Sequence, residues 1–445
     1  MRFDNSTGSP LFQDWRKGRC GLASVVLLCL VAVAAGCRES ARPIRVSWGA
    51  GPAVQTGADL LVGDDFALLA GRRVGLITNH TAMVGKDHLA DLLHAAANVE
   101  LAALFGPEHG IRGDADAGAG VTDTVDARIG VPVYSLYGER RSPEPAILET
   151  LEVLIFDVQD VGARFYTYIS TMGLSMEAAA AAGIEFVILD RPNPIGGDYV
   201  SGFVREEEFK SFVGFYPIPV AHGMTVAELA RMAAGEGWLA GAGNLHLTVV
   251  PMKGWKRSMQ WVDTGLSWIP TSPNIPDFET ALVYPGACLV EGTVASEGRG
   301  TLQPFLTIGA EWLDGNMLAA SLNSIGIDGL RFAGIEFTPR SIPGMAASPK
   351  LIDVPLSGIR YEVVGREAVR PVEAGVRLLR GMLDQYSQDS ETADFFRAQG
   401  FDRLAGTRRL RELLLSGASA QAIIDSWHEE VAAFSERRAG YLLYD

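Results

Sequence analysis

Four short apolar runs in the first half of the chain each stop at a polar cluster, and this pattern constrains the fold more than any other feature. Residues 73–78 (RVGLIT) run into Asn79 and His80, and residues 99–105 (VELAALF) run into 106–110 (GPEHG). Residues 153–156 (VLIF) run into Asp157 and Asp160. Residues 185–189 (EFVIL) run into Asp190, Arg191 and Asn193, stiffened by Pro192 and Pro194. Residues 131–136 are also strand-like. Between these runs, Leu89, Leu92, Leu93 and Ala96 recur at helical spacing within 86–96, and 166–182 forms a long Ala-rich helical stretch. Near-continuous apolar strands alternating with helices predict an α/β fold whose parallel sheet is covered on both faces. In such sheets the carboxyl ends of the strands form the ligand crevice, so the polar clusters are expected to converge on one rim.

The second half is less regular. Residues 253–280 are rich in Trp and Pro and read as a structured loop; 331–337 and 359–364 read as strands. Pro371 opens a helix with Val372, Val376, Leu379 and Leu383 on one stripe, and Ser419 caps another carrying Ile423, Trp427, Val431 and Phe434. Thr225 and Glu228 form a capping box. We expect a sheet domain over 57–255, followed by a smaller α+β domain over 256–445.

The N-terminus reads as an address. Arg16, Lys17 and Arg19 precede an apolar run over 21–35 that is too short for a comfortable membrane span. It closes on Ala34, Ala35, Gly36 and Cys37, which resembles a bacterial lipoprotein signal: cleavage after Gly36, lipid on Cys37, and a tether over 37–56. Arg38, where an Asp would retain the protein at the inner membrane, points to export and anchoring at the outer membrane, facing the periplasm. A lipid attaches a chain to a membrane without spanning it. Once the signal is removed, Cys288 is the one thiol beside the acylated Cys37, so no intrachain disulfide is expected.

A net charge of −15 excludes a chain held to nucleic acid by bulk basic charge. There is no phosphate loop of the Walker type and no nucleophile elbow, and the seven His residues lack metal-ligand spacing. Residues 235–240 loosely mimic a dinucleotide fingerprint but follow a helix instead of a strand. No metal or organic cofactor is expected.

Glu108 is the strongest candidate for chemistry. It is followed by His109 and Arg112 within a backbone constrained by three Gly and Pro107. A carboxylic acid with a raised pKa can donate a proton to a leaving oxygen; the bland alternative is a loop in which Glu108 pairs with Arg112. Asp157 and Asp160 can flank a substrate, or one can cap the helix near Arg164. Asp190 and Asn193 can bind hydroxyls beside the anion-binding Arg191, or form a plain salt bridge in a stiff turn. Asn274, Glu297 and Arg299 lie in Gly/Pro-punctuated segments that either reach the crevice or make ordinary turns.

Six segments in order, 106–113 (GPEHGIRG), 156–169 (FDVQDVGARFYTYI), 189–194 (LDRPNP), 222–225 (HGMT), 272–276 (SPNIP) and 296–301 (SEGRGT), together resemble the exo-β-N-acetylmuramidase family, formerly a domain of unknown function. The resemblance covers roughly residues 60–445. It implies a Rossmann-like domain and a smaller C-terminal α+β domain, with the active-site cleft between them. It also implies a glycoside hydrolase that releases N-acetylmuramic acid from the non-reducing ends of peptide-free peptidoglycan strands or muramyl disaccharides, and it assigns the catalytic carboxyl to Glu108. Asp160 is the expected second group; Asp157, Asp190 and Glu297 are rivals, and the substrate's own acetamido group can also attack. Tyr166 and Tyr168 can stack on a sugar face or fill core. Asn79, His80 and His109 complete the expected binding set. The muramyl lactyl carboxylate calls for a local guanidinium, from Arg112, Arg164, Arg191 or Arg299. The rival readings are a non-catalytic cell-wall-binding lipoprotein and a nucleotide-dependent transferase using the Rossmann-like half. Neither a nucleic acid nor membrane contact beyond the anchor is expected.

Overall fold

The computed structural model describes residues 54–113, 123–138, 140–386 and 392–445. The signal, Cys37 and most of the tether lie outside them.

The apolar runs are strands β1 (Arg73–Thr78), β4 (Glu100–Gly106), β6 (Pro132–Ser135), β7 (Val153–Asp157) and β8 (Glu185–Leu189). A two-stranded hairpin, β2 (Met83–Val84) with β3 (Asp87–His88), follows β1; β5 (Thr124–Val125) precedes β6, and β9 (His246–Val250) closes the sheet. The spatial order is β5-β6-β4-β1-β7-β8-β9. Every neighbouring pair is parallel except β5 with β6. Numbered along the chain, the six parallel strands lie in the order 3-2-1-4-5-6, the Rossmann arrangement. The order reverses between β1 and β7, the point beyond whose strand ends sheets of this kind place their ligand crevice.

Two local expectations shift. The helix expected over 86–96 spans Leu89–Ala95, because Asp87 and His88 pair with β2 and the His88 ring caps the helix, its Nδ1 accepting from the Ala90 amide at 3.1 Å. The helix begun at Ser419 breaks into Ala420–Asp425 and His428–Arg438 around the buried Trp427. The edge strand β9, only half-buried, carries too little apolar signal to stand out in the sequence.

The second half holds an antiparallel sheet of β10 (Thr307–Ala310), β11 (Leu330–Phe337) and β12 (Leu356–Val363), in the order β10-β12-β11. Helices Phe278–Ala287 and Pro371–Tyr386 come into backbone contact at Gly286, where an added Cβ would sit 1.8 Å from the Pro371 carbonyl oxygen. One apolar core runs from Phe156, Phe186 and Met172 under the large sheet to Leu282, Leu379 and Trp427, so the two halves bury their apolar surface together. A smaller cluster, including Leu76, Leu93, Ile155 and Leu189, covers the other face of the large sheet. Among the described residues no helix is long and apolar enough to cross a membrane.

Candidate active site

The chain leaves β4 through a strained turn. An added Cβ on Gly106 would press on Gly110 at 3.2 Å. His109 and Gly110 both take left-handed backbone angles, φ +74° and +71°, and the Gly110 amide closes the turn onto the Pro107 carbonyl at 3.0 Å. A residue with a Cβ holds such an angle only where its surroundings enforce it, and such positions cluster at functional sites. The turn places the half-buried Glu108 in a cleft of about 180 Å³.

That cleft gathers segments distant in sequence. Its walls include Glu108 and His109 after β4, Tyr137 after β6, Tyr166 and Tyr168 at the start of the helix Tyr168–Ala182, and Ser272 and Asn274 from the Pro-rich loop. Tyr284, Glu291, Arg299 and Phe305 complete them from the second half. The Tyr137 hydroxyl donates to the Glu108 carboxylate; burial and then the Glu108 charge push the phenol up to about 12. Tyr166 donates to Thr271 Oγ1 and Tyr168 to the Thr271 carbonyl, both at 2.8 Å, which fixes the loop over the rim. Their rings meet edge to face at 5.0 Å, and Tyr166 meets Tyr284 the same way at 5.7 Å, giving a rigid aromatic wall. Asn274 spends its amide N–H on the Met345 carbonyl at 2.8 Å, while its buried Oδ1 has no hydrogen-bond partner. The residue borders the cleft, but this acceptor atom is itself buried behind the cleft surface. Arg299 donates twice to Glu291, at 2.8 and 3.1 Å, and lies 3.6 Å from Glu297, which Lys350 pairs at 2.8 Å.

Several predicted ligands are committed elsewhere. Asp157 and Arg191 form a sealed two-pronged pair at 2.5 and 2.9 Å, closer to the salt-bridge alternative than to ligand binding. Arg164 is fully buried and donates to the carbonyls of Phe203, Ile218 and Leu404 at 2.7–2.8 Å; burial lowers it to about 9. It is a staple, out of reach of a lactyl group. Asp190 accepts from Thr225, Tyr444 and the Ala227 amide and ties down the helix Val226–Gly235 and the C-terminus. Asn193 bridges the Met224 carbonyl and the Ile195 amide. Glu297 is buried against Lys350 and Arg299 and stands behind the cleft wall.

Asp160 also misses the cleft wall. It is 5 % exposed, and its Oδ2 accepts from the Gly162 amide at 2.7 Å. Burial pushes it up to about 7 against the pull of the Gly162 and Val161 amides. Its neighbour His222, 3.9 Å away, is lowered by burial to about 3 and stays neutral. Arg112 does not pair with Glu108: it binds Asp126 at 2.9 Å and Asp91 at 2.6 Å and lines an adjoining cavity with His80 and His88. His109 borders both cavities. His80 holds the Pro270 carbonyl at 2.6 Å and so supports the rim, while the buried Asn79 accepts from the Thr81 amide and hydroxyl at 3.0 and 2.5 Å.

Tyr137 and Glu291 line the cleft without having been singled out in the sequence. Tyr137 obeys the same strand-end rule as Glu108, since it follows β6 by two residues. Glu291 lies in a short helical turn, Cys288–Gly292, with no comparable signal.

Two family models match this chain: the exo-beta-N-acetylmuramidase NamZ N-terminal model over residues 74–279 and its C-terminal model over 282–444. The peptidoglycan beta-N-acetylmuramidase NamZ of Bacillus subtilis is 43 % identical over 394 residues, which is 88 % of this chain and 92 % of that protein. Two crystal structures of DUF1343 family proteins from Bacteroides fragilis superpose with TM-scores of 0.80 and 0.72, at 37 % and 35 % identity. They cover 89 % and 88 % of this chain, and 100 % and 99 % of their own. The chain is therefore a glycosidase belonging to the exo-β-N-acetylmuramidase family.

Proposed function

We propose that the protein removes N-acetylmuramic acid from the non-reducing ends of peptide-free peptidoglycan strands or muramyl disaccharides, with Glu108 as the acid that protonates the leaving oxygen. The observation that carries this reading is the placing of Glu108, on a strained turn at the carboxyl edge of the sheet, in a small aromatic cleft. Tyr137 orients the carboxyl through its hydrogen bond. Glycoside cleavage also needs a group at the anomeric carbon. Glu291 takes that part in preference to Asp160: among the described residues it is the other carboxylate on the cleft wall. Asn274 borders the cleft and its buried Oδ1 lacks a partner, which makes this side chain the candidate acceptor for the sugar's amide or hydroxyl hydrogen. The chain's own residues supply the acid, the second carboxylate and the aromatic wall.

We further propose that the protein acts while tethered to the outer membrane through acylated Cys37, on the periplasmic side, where peptidoglycan fragments are available.

Turnover of a defined muramyl disaccharide tests the catalytic reading. The wild-type protein should release free N-acetylmuramic acid, and Glu108→Gln should reduce kcat by about 100-fold or more while keeping the native fold. Undiminished release by the Glu108→Gln variant would refute the assignment, and binding without any turnover would favour a cell-wall-binding lipoprotein.

A further inference from the structure

The lactyl group of N-acetylmuramic acid is what separates it from N-acetylglucosamine, and its carboxylate calls for a cation within reach of the cleft. The four arginines singled out in the sequence do not offer one. Arg164 and Arg191 are sealed inside the protein, and Arg112 is shared between Asp91 and Asp126. Arg299 touches the cleft, but Glu291 and Glu297 stand within 3.6 Å of it, so an incoming carboxylate would meet two like charges there.

A fifth arginine is differently placed. Arg141 lies four residues beyond Tyr137, the residue that holds Glu108. Its guanidinium lies over the ring of Phe212, 4.4 Å from the centroid, and Phe212 precedes the cleft-lining Val213. The side chain is exposed, and among the described residues no carboxylate pairs with it. Its neighbour Arg140, by contrast, is taken by Asp123 and Glu144. Stacking on Phe212 restrains the guanidinium and leaves its N–H edge available for a two-pronged carboxylate contact. The Arg141 charge reaches the Tyr137 hydroxyl, as does that of Arg299, which Glu291 and Glu297 flank.

We propose that Arg141, stacked on Phe212 next to the cleft-lining Val213, recognises the lactyl carboxylate and so sets the preference for muramyl over glucosaminyl ends. This rests on the muramidase reading of the same cleft, and it can be tested without turnover. The affinities of free N-acetylmuramic acid, its lactyl methyl ester and N-acetylglucosamine would be measured by calorimetry at low salt. Arg141→Ala should weaken N-acetylmuramic acid about 10-fold and leave N-acetylglucosamine within about twofold. The methyl ester should bind the wild-type protein about as poorly as the free acid binds Arg141→Ala. Arg141→Lys should fall between, since an ammonium keeps the charge but loses the fork and the stacking. Equal weakening of both sugars, no weakening of either, or loss of selectivity in Arg299→Ala alone would overturn the proposal. Because these are binding ratios, they can fail while Glu108→Gln still abolishes turnover, and the reverse also holds.

Discussion

The hydroxyl of Tyr137 donates a hydrogen bond to the carboxylate of Glu108, joining the ends of two adjacent parallel strands at the mouth of the cleft. Both residues lie just past the last sheet pairing, where side chains leave the core but keep the rigidity of the strands beneath them. Tyr137→Phe keeps the ring and removes the bond. It should lower kcat about 3- to 10-fold with little change in KM or in melting temperature. Steady-state kinetics on a muramyl substrate, together with a thermal melt, checks this; an unchanged kcat would mean that the bond does not hold the carboxyl in its working position.

Arg164 and Arg299 should behave as opposites. Arg164→Ala strips three buried carbonyls of their donor and opens a cavity between the two halves, so it should cost about 3 kcal/mol or more and give little folded protein. Arg299→Ala, at the cleft, should retain most of the stability and lose activity. Chemical denaturation of both variants checks this. A stable Arg164→Ala protein with a selectively raised KM would return that residue to substrate binding.

Asp160 gives a signed pH dependence. Its folded pKa, pushed up to about 7 by burial, lies above that of a carboxyl in the unfolded chain. Between about pH 4 and 7 the folded state therefore holds the proton more tightly, and this group's contribution to stability falls as pH rises. Asp190, buried and likewise raised to about 7, acts in the same direction. Asp160→Asn removes one of the two. Its melting temperature should exceed that of the wild type at pH 8 and lose that advantage toward pH 4, with a slope difference of at most about 1.4 kcal/mol per pH unit. Parallel melts at several pH values check this; a constant offset across the range would show that the Asp160 charge is not the cause.

Mass spectrometry of the native N-terminus tests the anchor. The proposal requires residues 1–36 to be absent and Cys37 to carry a diacylglyceryl group. An unmodified Cys37 would contradict it.

What could be read from the sequence follows from the range of the interactions involved. Apolar runs fix the strands because burial on both faces admits few other residues, and for β1 and β8 the expected bounds coincide with the observed ones. The rim was legible for the same reason: a polar residue at a strand end either reaches the cleft, as Glu108 does, or is buried with a partner, as Asp157 and Asp190 are. Their roles were not legible. Asp157 is cancelled by Arg191, 34 residues on, and Arg164 by carbonyls as far away as Leu404. No local pattern encodes such partners, so a guanidinium in a motif looks the same whether it faces a ligand or a sealed carbonyl. Glu291 shows the converse, since it reaches the cleft through packing that only the folded chain reveals.

The central claim is that Glu108 delivers the proton to the leaving oxygen, and the dependence of the Glu108→Ala variant on leaving group tests it most directly. A proton donor matters when the departing alcohol is a sugar and matters little when the leaving group is a stable anion such as 2,4-dinitrophenolate. On a muramyl disaccharide, Glu108→Ala should lose about 1,000-fold or more in kcat/KM, while on a 2,4-dinitrophenyl muramide it should stay within about 10-fold of wild type. An equal loss on both substrates would contradict the account and assign Glu108 to the anomeric carbon instead.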